Sequence, residues 1–338
     1  MKEEAFAKQG HFHGEDAIWL YSGAYECAIL PRVGGNLIAF RDREREYRFL
    51  HEPEMDEMEV FKARPIIHGI PVLFPPNRYE DGRFPWNGRI YTLPVNEKHT
   101  GNHLHGFLYN IPWEVESHGN KGAEASYVRL KLSFDSSREM YRYFPHTFIF
   151  WLEYTLSEKG LQQQVYIRND GNEPMPCLLA FHTSLNAPFC KTSRPENYLF
   201  QITLGQRWEL NERMLPTGKH QMLTEQEEAM KGEGAYPFFE SMDNHYTAQS
   251  QNGRNRAVLT DLREQVSLVY DAGASYKQWM IWNNNAKPGF FCPEPQVNLV
   301  NAPNIKLPPE EIGLFALAPG ELWQETSLLY CIPAKPHE

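Results

Sequence analysis

Four short polar clusters carry the side chains of this sequence that move protons most readily. HLHGF at His103–Phe107 and FHTSLN at Phe181–Asn186 supply histidines, CPEP at Cys292–Pro295 supplies a glutamate between prolines, and MDNHY at Met242–Tyr246 adds an aspartate. Imidazole and carboxylate groups act as general acids and bases near neutral pH. If the fold brings these clusters together, the chain is an acid–base enzyme.

Glu294 and His182 are two candidates for proton transfer. His182 follows the apolar run Cys177–Phe181, which places it at a strand end where a scaffold can hold the ring. Glu294 lies between Pro293 and Pro295, and partial burial there is expected to raise its pKa toward that of a useful general base. The alternatives are a histidine bonded at the core edge and a surface glutamate in a proline-rich turn.

Asn77 and Arg78 follow the apolar run Val72–Phe74, which Pro75 and Pro76 bring to an end. An amide and a planar guanidinium at this tip could bind sugar hydroxyls or a carboxylate. Equally, the arginine could fix the loop by donating hydrogen bonds to backbone carbonyls. The sequence leaves both interpretations open.

His103 and His105 lie two residues apart, on one face if their segment is extended. A metal site needs about three protein ligands, and no third ligand lies at suitable spacing, so we predict no metal. No glycine-rich phosphate loop follows a strand, which argues against a nucleotide-dependent enzyme. The chemistry considered below requires no cofactor.

Alternation with period two dominates the elements that must position these residues. Tyr127–Phe134 alternates apolar and polar side chains, and Phe148–Leu156 with Leu161–Asn169 predicts a β-hairpin. Short helices are predicted at Met55–Ala63 and Glu225–Lys231. Further strands are predicted at Tyr25–Pro31, Asn36–Phe40, Pro176–Phe181, Val266–Tyr270, Trp279–Trp282, Ile312–Leu317 and Glu325–Tyr330, and loops at Pro75–Gly88, Pro188–Glu196 and Pro293–Pro309. Many strands with few helices predict an all-β, antiparallel sandwich or barrel.

The composition allows one large domain over residues 1–338, with 41 % hydrophobic residues to form its core. A net charge of −10 disfavours nucleic acid and anionic lipid as partners. Five scattered cysteines without a CxxC pair indicate reduced thiols, and Met1–Gly10 lacks the apolar segment of a signal peptide, so we expect a cytoplasmic protein. No apolar run approaches the ~20 residues that span a bilayer.

Several stretches together resemble the aldose 1-epimerase (galactose mutarotase) family. They occur in the family's order between Gly34 and Tyr330, and they are GIPVLFPPNR, HLHGF, YFPHTFIFWLEYTLSEKGLQQQVYIRNDGNEPMP, FHTSLN, MDNHY and CPEP. The resemblance implies a large antiparallel β-sandwich with an open concave face that binds the sugar.

The resemblance also implies roles for individual residues. Glu294 matches the general base that takes the proton from the anomeric hydroxyl, and His182 matches the general acid that protonates the ring oxygen. His105 matches a second histidine near the sugar ring. Arg78, after Asn77, and Asp243 match substrate-binding residues. The expected reaction is interconversion of the α and β anomers of a hexose by ring opening and closure.

Three other functions remain open on the sequence. A sugar-phosphate epimerase of the same fold would need a cluster of basic residues, for which Arg32, Arg41 and Arg78 are candidates. A glycoside hydrolase would use Glu294 with Asp243, although the pairing of Glu294 with a histidine argues against it. A carbohydrate-binding protein could keep the concave face without catalysis. The sequence determines neither the preferred sugar nor the oligomeric state.

Overall fold

The computed structural model describes residues 4–334, and β-strands dominate its regular structure. Residues 1–3, the start of the segment considered above for a signal peptide, and residues 335–338 lie outside the described range. None of the helices within residues 4–334 combines the length and hydropathy that crossing a membrane requires.

The strands are short and follow one another closely along the chain. Within residues 4–334 they are β1 Phe6–Phe12, β2 Glu15–Ser22, β3 Tyr25–Leu30, β4 Asn36–Asp42, β5 Tyr47–Arg48, β6 Val72–Leu73, β7 Arg78–Glu80, β8 Arg83–Trp86, β9 Arg89–Thr92, β10 Asn102–Leu104, β11 Glu114–Lys121, β12 Ala125–Phe134, β13 Phe148–Ser157, β14 Gly160–Asn169, β15 Met175–Pro176, β16 Ala180–Phe181, β17 Leu185–Ala187, β18 Tyr198–Ile202, β19 Leu204–Leu210, β20 Pro216–Gln221, β21 Asp243–Ala248, β22 Asn255–Asp261, β23 Val266–Gly273, β24 Gln278–Trp282, β25 Gly289–Gln296, β26 Ala316–Leu317 and β27 Leu322–Pro333.

Helical segments are few and short. In the described range they are α1 Met58–Ala63, α2 Glu225–Lys231, α3 Pro309–Ile312 and the 3-10 turns Met55–Glu57, Glu139–Arg142, Pro195–Asn197 and Ala302–Asn304. A capping box begins α2, because the Thr224 hydroxyl accepts from the Glu227 N–H while the Glu227 carboxylate accepts from the Thr224 N–H. Both helices predicted from the sequence are confirmed, the first as a 3-10 turn that continues into α1.

Two large antiparallel sheets form the body of the protein. The long-strand sheet has the order β11-β12-β13-β14-β27-β23-β22-β18, and the site sheet has the order β20-β19-β21-β24-β25-β16-β6, with β17 also paired to β25. A third sheet contains β1 to β5 in sequence order. The predicted hairpin is β13–β14, in which Phe148 lies opposite Asn169.

The two large sheets share one hydrophobic core. Alternate side chains of β12, from Val128 to Phe134, are at most 1 % exposed, as the period-two pattern predicts. Phe200 of the long-strand sheet packs against Phe291 of the site sheet, with ring centroids 4.7 Å apart. The prediction of an all-β antiparallel sandwich is confirmed. The single domain over residues 1–338 stays a prediction.

Some local predictions were wrong. Ile312–Leu317, predicted as a strand, starts at the end of α3 and turns at Gly313, whose φ of 67° ends the helix, so only β26 is extended. Pro176–Phe181 divides into two short strands. The loop predicted at Pro75–Gly88 contains β7 and β8, and the one predicted at Pro293–Pro309 begins inside β25.

Candidate active site

Three neighbouring strands of the site sheet align four side chains on the face opposite the core. In β25, Phe291 points into the core, so Glu294 points away from it. The register places Met280 of β24 opposite Glu294, and Trp282 opposite Asp243 of β21. All four side chains therefore share one surface, which lines a cavity.

The prolines around Glu294 leave room for His182. On one side of β25, strand β17 ends its pairing at Phe291 and β16 begins at Gln296, and residues 182–184 occupy the gap between them. The backbone N–H groups of odd residues face this gap, since the next odd residue, Val297, donates to the Leu179 carbonyl there. Pro293 and Pro295 have no N–H to leave unpaired, which lets the ladder open here.

His182 and Glu294 face each other across this opening. Nε2 of His182 lies 3.2 Å from Oε1 of Glu294, and the two side chains are 5 % and 1 % exposed. The contact lacks hydrogen-bond alignment, and neither carboxylate oxygen has another partner within residues 4–334. The backbone N–H of His182 donates to the carbonyl of Pro71, which fixes the backbone that carries the ring.

Burial shifts the proton affinities of the pair in opposite directions. The pKa of Glu294 is raised well above its ordinary value by burial, with a further rise from the nearby charge of Asp243. Burial lowers the pKa of His182 to about 4. Both shifts disfavour charge, so the pair prefers to hold one proton as a carboxylic acid beside a neutral imidazole.

The two histidines of HLHGF have different surroundings, because the extended segment that would place them on one face does not form. His105 has a φ of 69°, so the segment is not extended there. Nε2 of His103 accepts from the Gly106 N–H and Nδ1 donates to the Pro94 carbonyl, which makes His103 a neutral structural residue. His105 instead lies beside His182, with ring centroids 5.3 Å apart, and burial lowers its pKa well below the usual value.

Arg78 is held between two carboxylates. Its Nε donates to both oxygens of Glu97, at 3.2 and 3.1 Å, and its Nη2 donates to Asp243 at 3.1 Å. Burial lowers the pKa of Arg78, but Asp243 and Glu97 outweigh it and raise the pKa above its ordinary value. Arg78 thus binds carboxylates of the protein rather than the backbone carbonyls considered above, and its role in substrate binding stays a prediction.

Asn77 presents an unpaired amide to the same cavity. Its side chain is 1 % exposed, and neither Oδ1 nor Nδ2 has a partner within the described residues. Its backbone carbonyl accepts from the His105 N–H at 2.9 Å, and its φ of 54° lies in the left-handed region that asparagine tolerates. Asn77 therefore holds the backbone of His105 in place, while its own side-chain amide keeps its full hydrogen-bonding capacity.

All six predicted site residues line one cavity of about 170 Å³. The complete lining is Arg64, Ile66, Ile67, Asn77, Arg78, Glu97, Leu104, His105, His182, Asp243, Met280, Trp282 and Glu294. Arg32 and Arg41, considered above as a basic cluster with Arg78, do not join it. Arg32 lines a separate cavity beside Trp113, and Arg41 is paired with Glu26 and Glu52.

Sequence reasoning missed Glu97 and Arg64. Glu97 binds Arg78 from 19 positions away without a recognisable motif, and Arg64 only follows the end of α1. Within residues 4–334, no group of three or more histidine, cysteine, aspartate or glutamate residues is arranged to hold a metal ion. The absence of a metal and of a cofactor stays a prediction.

Comparisons with known proteins show the family and the fold of the chain. The family model for aldose 1-epimerase matches residues 16–330. A galactose mutarotase-like protein from Clostridium acetobutylicum is 32 % identical, and the superposition covers 98 % of this chain and 99 % of that one with a TM-score of 0.93.

Two further relatives are more distant. Galactose 1-epimerase from Lactobacillus acidophilus NCFM superimposes with a TM-score of 0.70 over 99 % of this chain and 100 % of that one, and at 15 % identity it supports the fold alone. The uncharacterised protein YihR of Escherichia coli K12 is 28 % identical over 212 residues, a match that covers 62 % of this chain and 62 % of that relative's length. The match to the family model over nearly the whole sequence shows that the chain belongs to the aldose 1-epimerase family.

Proposed function

We propose that the protein is an aldose 1-epimerase that interconverts the α and β anomers of a hexose, with Glu294 as the base and His182 as the acid. The observation that carries this proposal is the 3.2 Å approach of Nε2 of His182 to Oε1 of Glu294 inside a polar cavity. The membership of the chain in the family supports the reaction class.

Ring opening needs two proton transfers on neighbouring oxygens. The base removes the proton from the hydroxyl on C1 while the acid protonates the ring oxygen, and the C1–ring oxygen bond breaks to leave an aldehyde. Rotation about the C1–C2 bond exposes the other carbonyl face, and the reverse transfers close the ring to the opposite anomer. Because both oxygens are bonded to C1, the donor and the acceptor must lie close together, as Glu294 and His182 do.

Burial of Glu294 and His182 contributes to catalysis through the proton that the two side chains share. Ring opening uses the less favoured form of the pair, in which the single proton has moved from Glu294 to His182, and it returns the pair to a carboxylic acid and a neutral imidazole when the ring has opened. Burial favours this neutral pair, as the raised pKa of Glu294 and the lowered pKa of His182 both indicate. The buried site thereby lowers the free energy of the open-chain state relative to the charged starting pair.

Substrate binding falls to four residues in this proposal. The amide of Asn77 and Nδ1 of His105 have hydrogen-bonding capacity that the described residues leave unused, so they can bind sugar hydroxyls. Asp243 accepts from a hydroxyl, held in place by Arg78. The flat ring of Trp282, which also lines the cavity, can stack on the C–H face of the sugar.

We propose a cytoplasmic location for the protein. All five cysteines are free thiols, and four of them are buried, as expected for a chain that folds under reducing conditions.

Polarimetry with fresh α-glucose and α-galactose tests the proposed reaction. The protein should accelerate the change in optical rotation, and His182→Ala should reduce kcat/KM by at least ~10²-fold, the lower end for loss of one proton-transfer group. His118→Ala, a histidine of β11 that does not line the cavity, is the matched control and should keep full activity. Full activity in His182→Ala would remove this residue from the mechanism.

A further inference from the structure

A second, larger cavity adjoins the candidate active site. This outer cavity has a volume of about 570 Å³. Five of its lining residues, Arg64, Ile66, Glu97, Leu104 and His105, also line the cavity of the candidate active site, called the inner cavity below. The outer cavity is therefore within reach of a substituent on a sugar ring that is held beside His105.

Three basic side chains of the outer cavity have no partner. Arg64, Lys98 and His99 are exposed, and within residues 4–334 their side chains make no ion pair and no hydrogen bond. The one carboxylate in the lining, Glu97, is already bound by Arg78, Thr100 and Asn102. Arg64 and Lys98 therefore give the outer cavity unpaired positive charge, although the whole chain has a net charge of −10.

The backbone holds these three basic residues in place. The N–H of Arg64 donates to the carbonyls of Val60 and Phe61, which fixes the residue at the end of α1. Lys98 and His99 lie in a turn closed by hydrogen bonds between Glu97 and residues 101 and 102. The hydrogen bonds from Arg78 to the Glu97 side chain tie this turn to the site, so all three basic residues lie on segments that backbone or side-chain contacts anchor.

We propose that the outer cavity binds an anionic group on the sugar, so that the preferred substrate is an aldohexose with a phosphate, sulfate or carboxylate on its exocyclic carbon. This inference rests on the proposed epimerase function and specifies its substrate class. Arg64 lines both cavities, so one guanidinium can contact the anion while the ring lies beside His105 and His182. Hydrogen bonds between such cations and an anion are shorter and stronger than neutral ones.

The test compares substrates that differ only in the exocyclic group. Exchange between α and β anomers is measured by NMR for glucose, glucose 6-phosphate, glucose 6-sulfate and glucuronate, each with the enzyme-free rate subtracted. We expect kcat/KM for at least one anionic sugar to exceed that for glucose by ~10-fold or more at low ionic strength, within the range that focused charge produces. The preference should shrink as added salt screens the charges.

Two variants assign the effect to the cavity. Arg64→Gln combined with Lys98→Gln should reduce the ratio of anionic to neutral kcat/KM by ~10-fold or more, since two charge-assisted contacts are removed. Lys159→Gln, an exposed lysine in the turn between β13 and β14, removes one charge elsewhere and should leave the ratio unchanged. Equal ratios in the wild type and the double variant would overturn the proposal.

Calorimetric titration separates failure of this inference from failure of the proposed reaction. Acceleration of glucose without preference for any anionic sugar would overturn the inference and keep the epimerase. If no sugar is interconverted but an anionic hexose binds more tightly than glucose, in a salt-sensitive way that the double variant loses, the anion site stands and the epimerase function fails. Equal, salt-independent binding of charged and neutral sugars would again overturn the anion site.

Discussion

The polar groups at one end of the inner cavity are paired with one another, whereas those at the other end are not. At the Arg78 end, the guanidinium, Glu97 and Asp243 bind one another, and burial of Glu97 is outweighed by the hydrogen bonds from Arg78 and Thr100, which leave its pKa lowered. At the Glu294 end, the carboxylate oxygens have no hydrogen-bond partner within residues 4–334. The charged groups of the first end are paired with one another, whereas the carboxylate of the second end has unused hydrogen-bonding capacity that a substrate can satisfy.

This contrast separates residues that position from residues that react. A buried group that is left unpaired costs stability, so it persists where it serves another purpose. Arg78 fixes Asp243 and the Glu97 turn, whereas Glu294, His182 and Asn77 keep the atoms that would contact a sugar. Substitutions at the two ends should therefore have opposite effects on stability.

Glu294→Gln should show the largest effect on activity and the reverse effect on stability. The amide cannot accept a proton, so kcat/KM should fall by ~10²–10⁴-fold. The raised pKa of Glu294 means that the native state holds its proton more tightly than the unfolded chain, so ionisation destabilises the wild type as pH rises above the unfolded value of ~4.3. The variant should therefore have the higher Tm at pH 7, and the difference should disappear at pH 4.

Polarimetry and thermal unfolding at the two pH values measure both effects. Glu233→Gln is the matched control, because this exposed glutamate undergoes the same change of atoms outside the cavity. An active Glu294→Gln protein would exclude the residue as the base. A lower Tm at pH 7 would show that the ionised carboxylate has stabilising contacts in the native state.

Arg78→Met should give the largest loss of stability. Removing the guanidinium leaves the buried carboxylate of Glu97 without its counter-charge and also removes the partner of the half-buried Asp243. Breaking a buried pair such as Arg78–Glu97 costs ~3–5 kcal/mol. Arg168→Met is the control, since its ion pair with Asp170 lies at the surface and should contribute about 1 kcal/mol or less. Urea denaturation measures both. Adding Glu97→Gln to Arg78→Met should recover part of the loss, and equal losses at Arg78 and Arg168 would contradict the comparison.

The pH dependence of activity should reflect the proton that the pair shares. Below the His182 pKa of about 4, the pair takes up a second proton and Glu294 can no longer act as a base. Above the raised pKa of Glu294 the pair holds no proton and has no acid to donate to the ring oxygen. Plots of kcat/KM should fall roughly tenfold per pH unit on each side of a plateau. Fluorescence at each pH confirms folding, and constant activity through pH 4 in folded protein would contradict the assignment.

The sequence predicted the strands better than it predicted their side-chain contacts. Period-two alternation identified β12 and the β13–β14 hairpin, because one face of each strand is buried in the core. It did not identify β25 as running through Pro293 and Pro295, since only the gap between β16 and β17 makes prolines acceptable there.

The sequence predicted which residues line the site but not the hydrogen bonds and ion pairs that connect them. The histidine and carboxylate clusters named all six predicted residues that line the cavity. The role of Arg78 depends on Glu97, which lies on another segment, and no local pattern specifies a contact across 19 positions. The same limit applies to Arg64, which only the packing of α1 brings to the site.

Substitution of Asn77 should have the smallest effect on activity, and it tests directly whether an unpaired buried group serves substrate binding rather than structure. Its amide is buried without partners, so its removal should affect substrate more than fold. Asn77→Gly removes the amide while keeping the φ of 54° accessible, and it should raise KM by ~5–10-fold, the value of about one hydrogen bond. Asn77→Ala should raise KM equally, but it should be about 1–2 kcal/mol less stable than the glycine variant because a Cβ is strained at this φ. If KM were unchanged in both variants while stability fell, the amide would belong to the structural end of the cavity.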